Sequence, residues 1–385
     1  MTKELFPVEK LKGLQTPFYY YDLDLLSRTL DALQAELDRY GYHQHYAVKA
    51  NANPRILAAI ARRGMGADCV SGGEIRAALD AGFAPDRIVF AGVGKADWEI
   101  SLGLEHDIAC FNVESLAELR VLDGLAAARG KTARIALRIN PDVDAHTHEK
   151  ITTGRSENKF GINIGLLPGV LDALGGMRHV RFTGIHFHIG SQITDLFVFG
   201  DLCIRANALQ DELEARGLTI GSLNFGGGLG IDYTEPDAHP VPDFKNYFAT
   251  FRQLVRPRAG QQVRFELGRA VVAQCGALIA RVLYMKEGEA RKFAVLDAGF
   301  TELIRPAMYG AYHRIENLTG EGGTEVYDVV GPICESSDVF GRDVELARVR
   351  RNDLVALRSA GAYGEIMASQ YNCRPLPKAF FSDAV

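Results

Sequence analysis

A rhythm of short apolar runs and amphipathic stretches constrains the fold of this chain more than any other feature of its sequence. Each run is β-branched or apolar, ends at a Gly, Asn or Asp turn, and is in most cases followed by a helical pattern. The eight runs are 45–50, 67–70, 87–91, 108–111, 133–139, 181–188, 222–225 and 263–267. Eight strands that alternate with helices predict an α/β fold, a (β/α)8 barrel of the TIM type.

The pattern changes after Gly268. The apolar runs there are separated by turns with few helical stretches, which is typical of a mostly antiparallel β domain. The N-terminal segment PFYYYD (17–22) also has the character of a strand. We therefore predict a barrel over residues 26–270 and an all-β domain, resembling a sandwich or barrel, that combines residues 271–385 with residues 1–25.

Charge and cysteine content exclude several classes of protein. The chain has 43 Lys and Arg against 48 Asp and Glu, so it lacks the basic excess of a nucleic-acid binder. No stretch approaches the length of a membrane span, and the N-terminus lacks the apolar core of a signal peptide. The six cysteines are scattered without a C-x-x-C pair, which argues against a zinc ribbon or a disulfide framework. We predict a cytoplasmic protein that acts on a small molecule and has no nucleic-acid or membrane partner.

Reactive residues collect at the carboxyl ends of the predicted barrel strands, where barrel enzymes have their active sites. They are Lys49, Asp68, Arg138, His188, Gly226–Gly228 and Glu266. Each residue alone is explained more simply by a structural role, such as a buried histidine, a surface lysine or a turn glycine. Six such features at one rim indicate a functional site.

These residues have the chemistry that binds pyridoxal 5'-phosphate (PLP). A strand-end lysine in a partly dry pocket can lose its proton and bond covalently to PLP. The backbone N–H groups of a glycine loop after the seventh strand can approach a phosphate closely. Glu266 could face the pyridine nitrogen and favour its protonated form, while His188 offers a flat face on which the ring can stack.

Two other interpretations are less well supported by the sequence. GGGLGI (226–231) is similar to a dinucleotide fingerprint, but G-x-G-x-x-G requires a glycine where Ile231 stands. His186 and His188 share one strand face, a spacing used by metal-dependent barrel hydrolases. The neighbouring strand ends offer mainly two carboxylates as further ligands, so we predict no metal.

Six motifs make the resemblance to a known family specific. They are YAVKAN (46–51), HFHIGSQ (186–192), NFGGGLGI (224–231), ELGR (266–269), GPICESSD (331–338) and AGAYG (360–364). In this order they resemble the fold-type III, alanine-racemase-like PLP decarboxylases, over a match that runs from about residue 17 to the C-terminus. Within that family the set resembles the members that convert meso-2,6-diaminopimelate to L-lysine and CO2. Leu267 departs from the family's usual proline, but Glu266 and Arg269 remain.

The resemblance implies a role for each matching residue. Its cofactor contacts are Lys49, Asp68, Arg138, His188, Ser191, Gly226, Gly227, Gly228, Glu266, Gly268, Arg269 and Tyr363. Its substrate contacts are Arg269, Arg305, Tyr309, Glu335 and Tyr363. Lys49 is implied as the covalent attachment point of PLP and Cys334 as the general acid. In the family the Cys-Glu pair comes from the partner subunit, so the resemblance implies a homodimer with shared active sites.

The chemistry of the later residues is compatible with these roles. A substrate with two carboxylates and two amines suits a pair of arginines, Arg269 and Arg305, with Glu335 nearby. A thiol is mostly protonated at neutral pH, so Cys334 can donate a proton to a carbanion. The alternatives are a sister decarboxylase acting on carboxynorspermidine, ornithine or arginine, a PLP racemase, and a non-catalytic PLP-binding relative.

The connection from Pro141 to Ile162 is longer than most loops, so we expect it to be functional or locally helical. We predict that its two histidines, His146 and His148, are solvated.

Overall fold

The computed structural model describes residues 6–143 and 159–385. Most of the connection between Pro141 and Ile162, including His146 and His148, lies outside the described residues. The chain divides into two compact units. The barrel unit comprises Leu30–Gly230 and Asp243–Gly268, and the β unit comprises Met1–Thr29, Ile231–Pro242 and Arg269–Val385.

Eight parallel strands of the described residues close into a barrel. Numbered in chain order over the whole chain, they are β2 (His43–Ala47), β3 (Gly66–Cys69), β4 (Ile88–Phe90), β5 (Cys110–Val113), β6 (Ala133–Asn140), β8 (Val180–His186), β9 (Ser222–Asn224) and β10 (Gln262–Phe265). Each pairs with the next in this order, and β10 pairs with β2 to complete the ring. A short strand, β7 (Ile162–Asn163), is added beside β6.

Helices connect most of these strands, as parallel pairing requires. They are α2 (Leu23–Tyr40), α3 (Pro54–Ala61), α4 (Gly72–Asp80), α5 (Asp97–Glu105), α6 (Leu116–Ala127), α7 (Leu167–Leu174), α8 (Phe197–Ala215) and α9 (Phe244–Leu254). Side-chain caps begin several of them: the Ser71 hydroxyl accepts from Glu74 N at 3.1 Å, and the Ser115 hydroxyl accepts from Glu118 N at 3.1 Å. These two helices, α4 and α6, therefore start soon after β3 and β5. Because the barrel strands are parallel, their carboxyl-end side chains lie at the same rim.

Alternation along β10 shows which residues face the barrel interior. Phe265 packs in an aromatic cluster with Tyr42, Phe248 and Phe251, at ring-centroid distances of 5.4, 4.9 and 4.8 Å. Successive side chains of a strand point to opposite faces. Arg264 and Glu266, on either side of Phe265, therefore point into the barrel, Arg264 near its amino end and Glu266 at its carboxyl end.

The β unit is a mixed sheet. Its strands are β1 (Phe18–Tyr21), β11 (Gly276–Glu287), β12 (Lys292–Leu296), β13 (Ile315–Asn317), β14 (Thr324–Val330), β15 (Val339–Ala347), β16 (Leu354–Leu357) and β17 (Lys378–Phe381). Its helices are α1 (Val8–Leu11), α10 (Arg269–Val272) and α11 (Arg305–Tyr309). The N-terminal β1 pairs antiparallel with β11 and parallel with β17, and β12 and β14 are also parallel. The sheet is therefore less uniformly antiparallel than the sequence suggested.

The predicted fold class is confirmed: a barrel of the TIM type is combined with a β sheet that includes the N-terminal strand. The core of the β unit contains Phe18, Tyr20, Ile279 and Leu354, which are all buried. In the parts of the chain that the structure describes, no helix has the length and apolar character needed to cross a membrane.

Candidate active site

A cavity of about 330 Å³ opens at the carboxyl ends of the barrel strands. We call it the Lys49 cavity. Its lining residues are Lys49, Asp68, Val70, Ala91, Gly92, Val93, Gly94, Arg138, Phe160, His186, His188 and Glu266. Five side chains predicted from the sequence, those of Lys49, Asp68, Arg138, His188 and Glu266, are therefore brought to one place.

Lys49 lies on a single helical turn, Val48–Ala50, directly after β2. Gly268 packs against this turn: a Cβ added at Gly268 would lie 2.9 Å from the Ala47 Cβ and 3.0 Å from the Ala50 Cβ. These separations are shorter than normal carbon contacts, so a larger residue would push the turn away. Gly268 thus fixes the position from which the lysine side chain extends.

Glu266 is buried, and both of its carboxylate oxygens are hydrogen-bonded by neighbouring side chains. Oε1 accepts from Asn224 Nδ2 at 2.7 Å and from Asn112 Nδ2 at 3.2 Å, while Oε2 lies 2.9 Å from His186 Nε2. Burial by itself would raise the pKa of Glu266, but the attraction and hydrogen bond of His186 outweigh it and lower that pKa. Glu266 is therefore held as an anion inside the barrel.

Asp68 has the opposite electrostatic character, although it lines the same cavity. Burial and the charge of Glu266 raise its pKa well above the ordinary value, against the opposing effect of Lys49. Its Oδ1 is buried and has no hydrogen-bond partner among the described residues. Unpaired buried polar atoms are uncommon in folded proteins, so this atom is available to a bound group.

Arg138 is positioned by a buried ion pair. Its Nη1 lies 2.7 Å from Glu114 Oε1, and the guanidinium carbon lies 5.0 Å from the ring centroid of Phe160. Burial would raise the pKa of Glu114, but Arg138 and the N–H of Gly161 lower it on balance. Glu114 also accepts from Gly92 N at 3.1 Å, so one carboxylate connects the arginine to the loop that lines the cavity.

His188 and the glycine triplet form a closely packed corner of the barrel unit. Gly227 N donates to His188 Nδ1 at 3.3 Å, and Gly226 N donates to Asn224 Oδ1 at 2.9 Å. A Cβ at Gly226 would collide with the Phe187 carbonyl oxygen, and one at Gly227 with the Glu266 carbonyl oxygen. Burial, together with Lys49 and Arg138, lowers the pKa of His188 well below its ordinary value, so the imidazole is neutral.

Ser191 belongs to a loop that is fastened beside the glycine triplet. Ile193 N donates to the Gly228 carbonyl at 2.9 Å, and Gly230 N donates to the Ile193 carbonyl at 2.9 Å. Gly228 has a φ of +115°, a conformation that favours glycine. The Ser191 loop and the glycine triplet are therefore neighbouring backbone segments of the kind that binds phosphate.

Two predicted substrate residues meet in the β unit. Tyr233 Oη accepts from Arg269 Nη1 at 2.6 Å and from Arg305 Nη1 at 2.9 Å. The guanidinium carbon of Arg269 lies 5.0 Å from the ring centroid of Tyr363, and Tyr233, Tyr363 and Tyr309 raise the pKa of Arg269 against the effect of burial. Both arginines are buried, and one phenol oxygen holds them together.

Arg305 has a further buried partner. Its Nη1 donates to His313 Nε2 at 2.9 Å, and His313 Nδ1 donates to the Arg358 carbonyl at 2.8 Å. Burial and the charge of Arg305 lower the pKa of His313 to about 3. The imidazole is therefore neutral, and the lone pair on its Nε2 accepts from Arg305 and orients that side chain.

Cys334 and Glu335 lie on the exposed loop between β14 and β15. Cys334 N donates to Asn372 Oδ1 at 3.2 Å, and Tyr371 Oη donates to Glu335 Oε1 at 2.7 Å. Asp338 holds this loop in place, because its Oδ2 accepts from Ile333 N at 2.7 Å. Both side chains are thus presented at the surface of the β unit on an ordered loop.

Several residues of these clusters are not predicted by the sequence pattern. They are Asn112, Glu114, His186, Asn224, Tyr233 and His313. Asn112 and Asn224 lie at or near the carboxyl ends of β5 and β9, so the strand-end rule used for Lys49 could have found them. The sequence indicated His186 only as a candidate metal ligand. No group of three or more metal-ligating side chains occurs within the described residues.

The Lys49 cavity has the donor set that PLP requires. A lysine is available for covalent attachment, a buried carboxylate kept as an anion suits a pyridinium nitrogen, and a neutral imidazole suits a stacked ring. The glycine triplet provides backbone where side chains would collide. The residues present therefore fit this cofactor.

Comparison with protein families agrees with the geometry. Residues 23–273 match the family model described as pyridoxal-dependent decarboxylase, pyridoxal binding domain. Because this match covers the whole barrel, the fold and the site define a PLP-dependent decarboxylase.

Similar proteins of known name show to which family of these decarboxylases the chain belongs. The chain is 62% identical over 382 residues to a diaminopimelate decarboxylase of Bacteroides thetaiotaomicron, covering 99% of each chain. It is 42% identical to that of Zymomonas mobilis, covering 94% of this chain and 86% of the relative. A crystal structure of the Helicobacter pylori diaminopimelate decarboxylase complexed with L-lysine superposes with a TM-score of 0.91 at 37% identity, covering 97% and 93% of the two chains. The chain belongs to the diaminopimelate decarboxylase family, PLP-dependent carboxy-lyases of lysine biosynthesis.

Proposed function

We propose that this chain decarboxylates meso-2,6-diaminopimelate to L-lysine and CO2 with PLP attached through Lys49. The observation that carries the proposal is the Lys49 cavity, where a lysine, an ionised buried glutamate and a neutral histidine line the same space. PLP, when bound, supplies an electron sink for the pair of electrons left behind by CO2.

Glu266 would hold a proton on the pyridine nitrogen of PLP, because its own pKa is lowered and it stays an anion. His188, whose orientation is maintained by the Gly227 N–H, would stack on the ring. The triplet Gly226–Gly228 and Ser191 would bind the phosphate. Asp68, whose pKa is raised by burial and by Glu266, and Arg138, which is fixed by Glu114, are further cofactor contacts, together with Gly268, Arg269 and Tyr363.

The arginine pair of the β unit binds the carboxylate of the substrate that does not react. Arg269 and Arg305 are buried, and both donate to the Tyr233 hydroxyl, so one neutral group holds two positive charges close together. A guanidinium pair of this kind suits a second carboxylate. Tyr309, Tyr363 and Glu335 complete the substrate contacts, and the exposed carboxylate of Glu335 suits the distal ammonium.

Cys334 donates the proton that replaces the lost carboxylate on the α-carbon. We assign this step to the cysteine of a second copy of the chain, so that the functional molecule is a homodimer. The exposure of Cys334 and Glu335 on an ordered loop supports this assignment, because a partner can reach both side chains.

A cytoplasmic location is part of the proposal. All six cysteines lie within the described residues and are free thiols, which agrees with a reducing compartment.

Replacement of the lysine tests the assigned function. For Lys49→Ala with added PLP, we expect no measurable release of lysine or CO2 from diaminopimelate and no visible absorbance from covalently held PLP. Lys245→Ala, at an exposed position of α9, is the matched control and should behave as the wild type.

Wild-type turnover in Lys49→Ala would contradict the proposal. A substrate panel with the wild-type enzyme separates the alternatives. Faster CO2 release from carboxynorspermidine, ornithine or arginine would identify a sister decarboxylase. Racemised product without CO2 would identify a racemase, and PLP binding without turnover would identify a non-catalytic relative.

A further inference from the structure

A second cavity lies at the opposite end of the barrel from Lys49. The amino ends of four neighbouring strands, β10, β2, β3 and β4, frame a space of about 540 Å³. We call it the Arg264 cavity. The residues that carry the argument are His43, His45, Arg63, Arg87, Gln262 and Arg264. This end of a barrel ordinarily serves stability, so a cluster of cationic groups there needs a physical explanation.

Arg264 is a cation that forms no ion pair with a described residue, and the buried Glu266 acts on it only through its charge. Its Nε and Nη2 donate to Gln262 Oε1 at 3.2 and 2.5 Å, a neutral acceptor. In the described parts of the chain it forms no ion pair, and burial lowers the pKa of its guanidinium. A partly buried charge is costly unless an opposite charge accompanies it. The site therefore lacks one negative group.

Two further arginines, Arg63 and Arg87, line the cavity with Arg264. Arg87 donates through Nη1 to the Gly64 carbonyl and forms no ion pair among the described residues. Two carboxylates, Asp38 and Asp86, also line the cavity, and Asp38 accepts from Gln34 Nε2 at 2.7 Å. Arg63 is paired with Asp31. Among the described residues, neither Asp38 nor Asp86 forms an ion pair with Arg264 or Arg87.

The side chain of His45 is a second, independent observation that points to a bound ligand. Its side chain is almost completely enclosed, with 6% of its surface exposed, and its Nδ1 has no hydrogen-bond partner within the described residues. Burial and the charge of Arg264 lower its pKa to about 3, so the ring is neutral. A Cβ at Gly66 would collide with the His45 ring. The ring is therefore closely packed, yet one polar atom is left unsatisfied.

We propose that the Arg264 cavity binds a phosphate group, either inorganic phosphate or the phosphate monoester of a small metabolite. The guanidinium fork of Arg264 suits two phosphate oxygens. Arg87, His43 and His45 lie around the remaining space and can supply further donors. A divalent cation is disfavoured because Arg264 and Arg87 would repel it. The site is separate from the phosphate position that we assign to the glycine triplet at the other end of the barrel.

Calorimetric titration of the holoenzyme tests the proposal. The protein is first saturated with PLP and freed of the excess, so that the phosphate position of the cofactor is filled, and the visible absorbance is followed to show that PLP stays bound. We expect one binding event per chain with inorganic phosphate or with glycerol 3-phosphate. Arg264→Gln should raise the apparent Kd at least about tenfold, since a hydrogen bond to a charged group is lost.

Arg216→Gln removes the same charge from an exposed helix end of the barrel unit and should leave the Kd unchanged. His43→Gln, at an exposed position, gives a second test should Arg264→Gln fail to fold, and should also weaken binding. Binding of inorganic phosphate would identify the free ion as ligand, and binding of the ester alone would identify a metabolite. Absence of binding by both, or equal affinity in the wild type, Arg264→Gln and His43→Gln, would overturn the proposal.

Discussion

His186 Nε2 lies 2.9 Å from Glu266 Oε2, and both side chains are buried in the barrel. This contact decides the charge of Glu266, because burial by itself would favour the neutral acid. His188, two positions further along the chain, has a different role, because its Nδ1 accepts a hydrogen bond from the backbone N–H of Gly227. The two histidines therefore have separate partners. His186, at the end of the strand, contacts Glu266, and His188, on the loop that follows, contacts the glycine turn.

Removal of the charge on Glu266 should slow catalysis without releasing the cofactor. In Glu266→Gln we expect kcat to fall roughly 100-fold, since a preorganised charge at the reacting ring is lost. The visible absorbance of bound PLP should be retained, because Lys49 is intact. Steady-state kinetics with diaminopimelate measures the effect, and Glu212→Gln, at an exposed position of α8, is the control. An unchanged kcat would show that Glu266 does not act on the ring.

The His186 contact should give a distinctive pH dependence of stability. Glu266 has a lowered pKa in the folded state, so its contribution to the free energy of unfolding is present above its ordinary pKa of 4.5 and is lost as the pH falls below that value. In His186→Asn burial should dominate and raise that pKa. The stability difference between wild type and variant should therefore grow as the pH rises from about 3 to 6.

Urea unfolding at a series of pH values measures this difference, and contributions of carboxylates remote from Glu266 cancel between the two proteins. His106→Asn, at an exposed helix end, is the control and should track the wild type. A difference that is constant across the pH range would disprove the coupling.

Tyr233 should act on substrate binding. Its Oη accepts from both arginines, so Tyr233→Phe leaves two buried cations without their shared acceptor. We expect the KM for diaminopimelate to rise about tenfold, the size expected for hydrogen bonds to charged groups, with a smaller change in kcat and an unchanged PLP spectrum. Tyr312→Phe, at an exposed position, serves as control. A loss of kcat with an unaltered KM would assign Tyr233 to another role.

Mixing two inactive variants tests whether active sites are shared between subunits. Lys49→Ala and Cys334→Ala should each be inactive alone or nearly so. If Cys334 serves the partner's Lys49, a mixed dimer contains one intact site, and a statistical mixture should recover about a quarter of wild-type activity. Subunits are exchanged by gentle denaturation and refolding, and lysine formation is measured. No recovery, with mixed dimers demonstrated by mass, would place both residues in one chain's site.

Much of the barrel site followed from local rules. Parallel strands end at one rim, so Lys49, Asp68, Arg138, His188 and Glu266 could be grouped from sequence position alone. The hydrogen bonds that set their charges could not be predicted, because Asn112 reaches Glu266 from β5, which is not a neighbour of β10, and Asn224 from the adjacent β9.

The β unit was harder to predict in detail. Tyr233 follows a barrel strand in the chain, yet its contacts place it in the β unit with Arg269 and Arg305. A short segment such as 231–242 has no periodic pattern, so only its three-dimensional contacts show which unit it joins. The parallel pairing of β12 with β14 could not be predicted either, because the sequence pattern indicates strands but not which strands pair.

The sequence by itself determined the alternation of strands and helices, the identity of the rim residues, and the ordered motifs that indicate the family, because these depend on periodicity and on residue type. Only the tertiary structure decided how the pKa of each buried carboxyl group is shifted. The pKa of Glu266 is lowered, whereas that of Asp68 in the same cavity is raised. That difference arises because His186 and two asparagines from separate strands surround one carboxylate, whereas burial and a like charge act on the other.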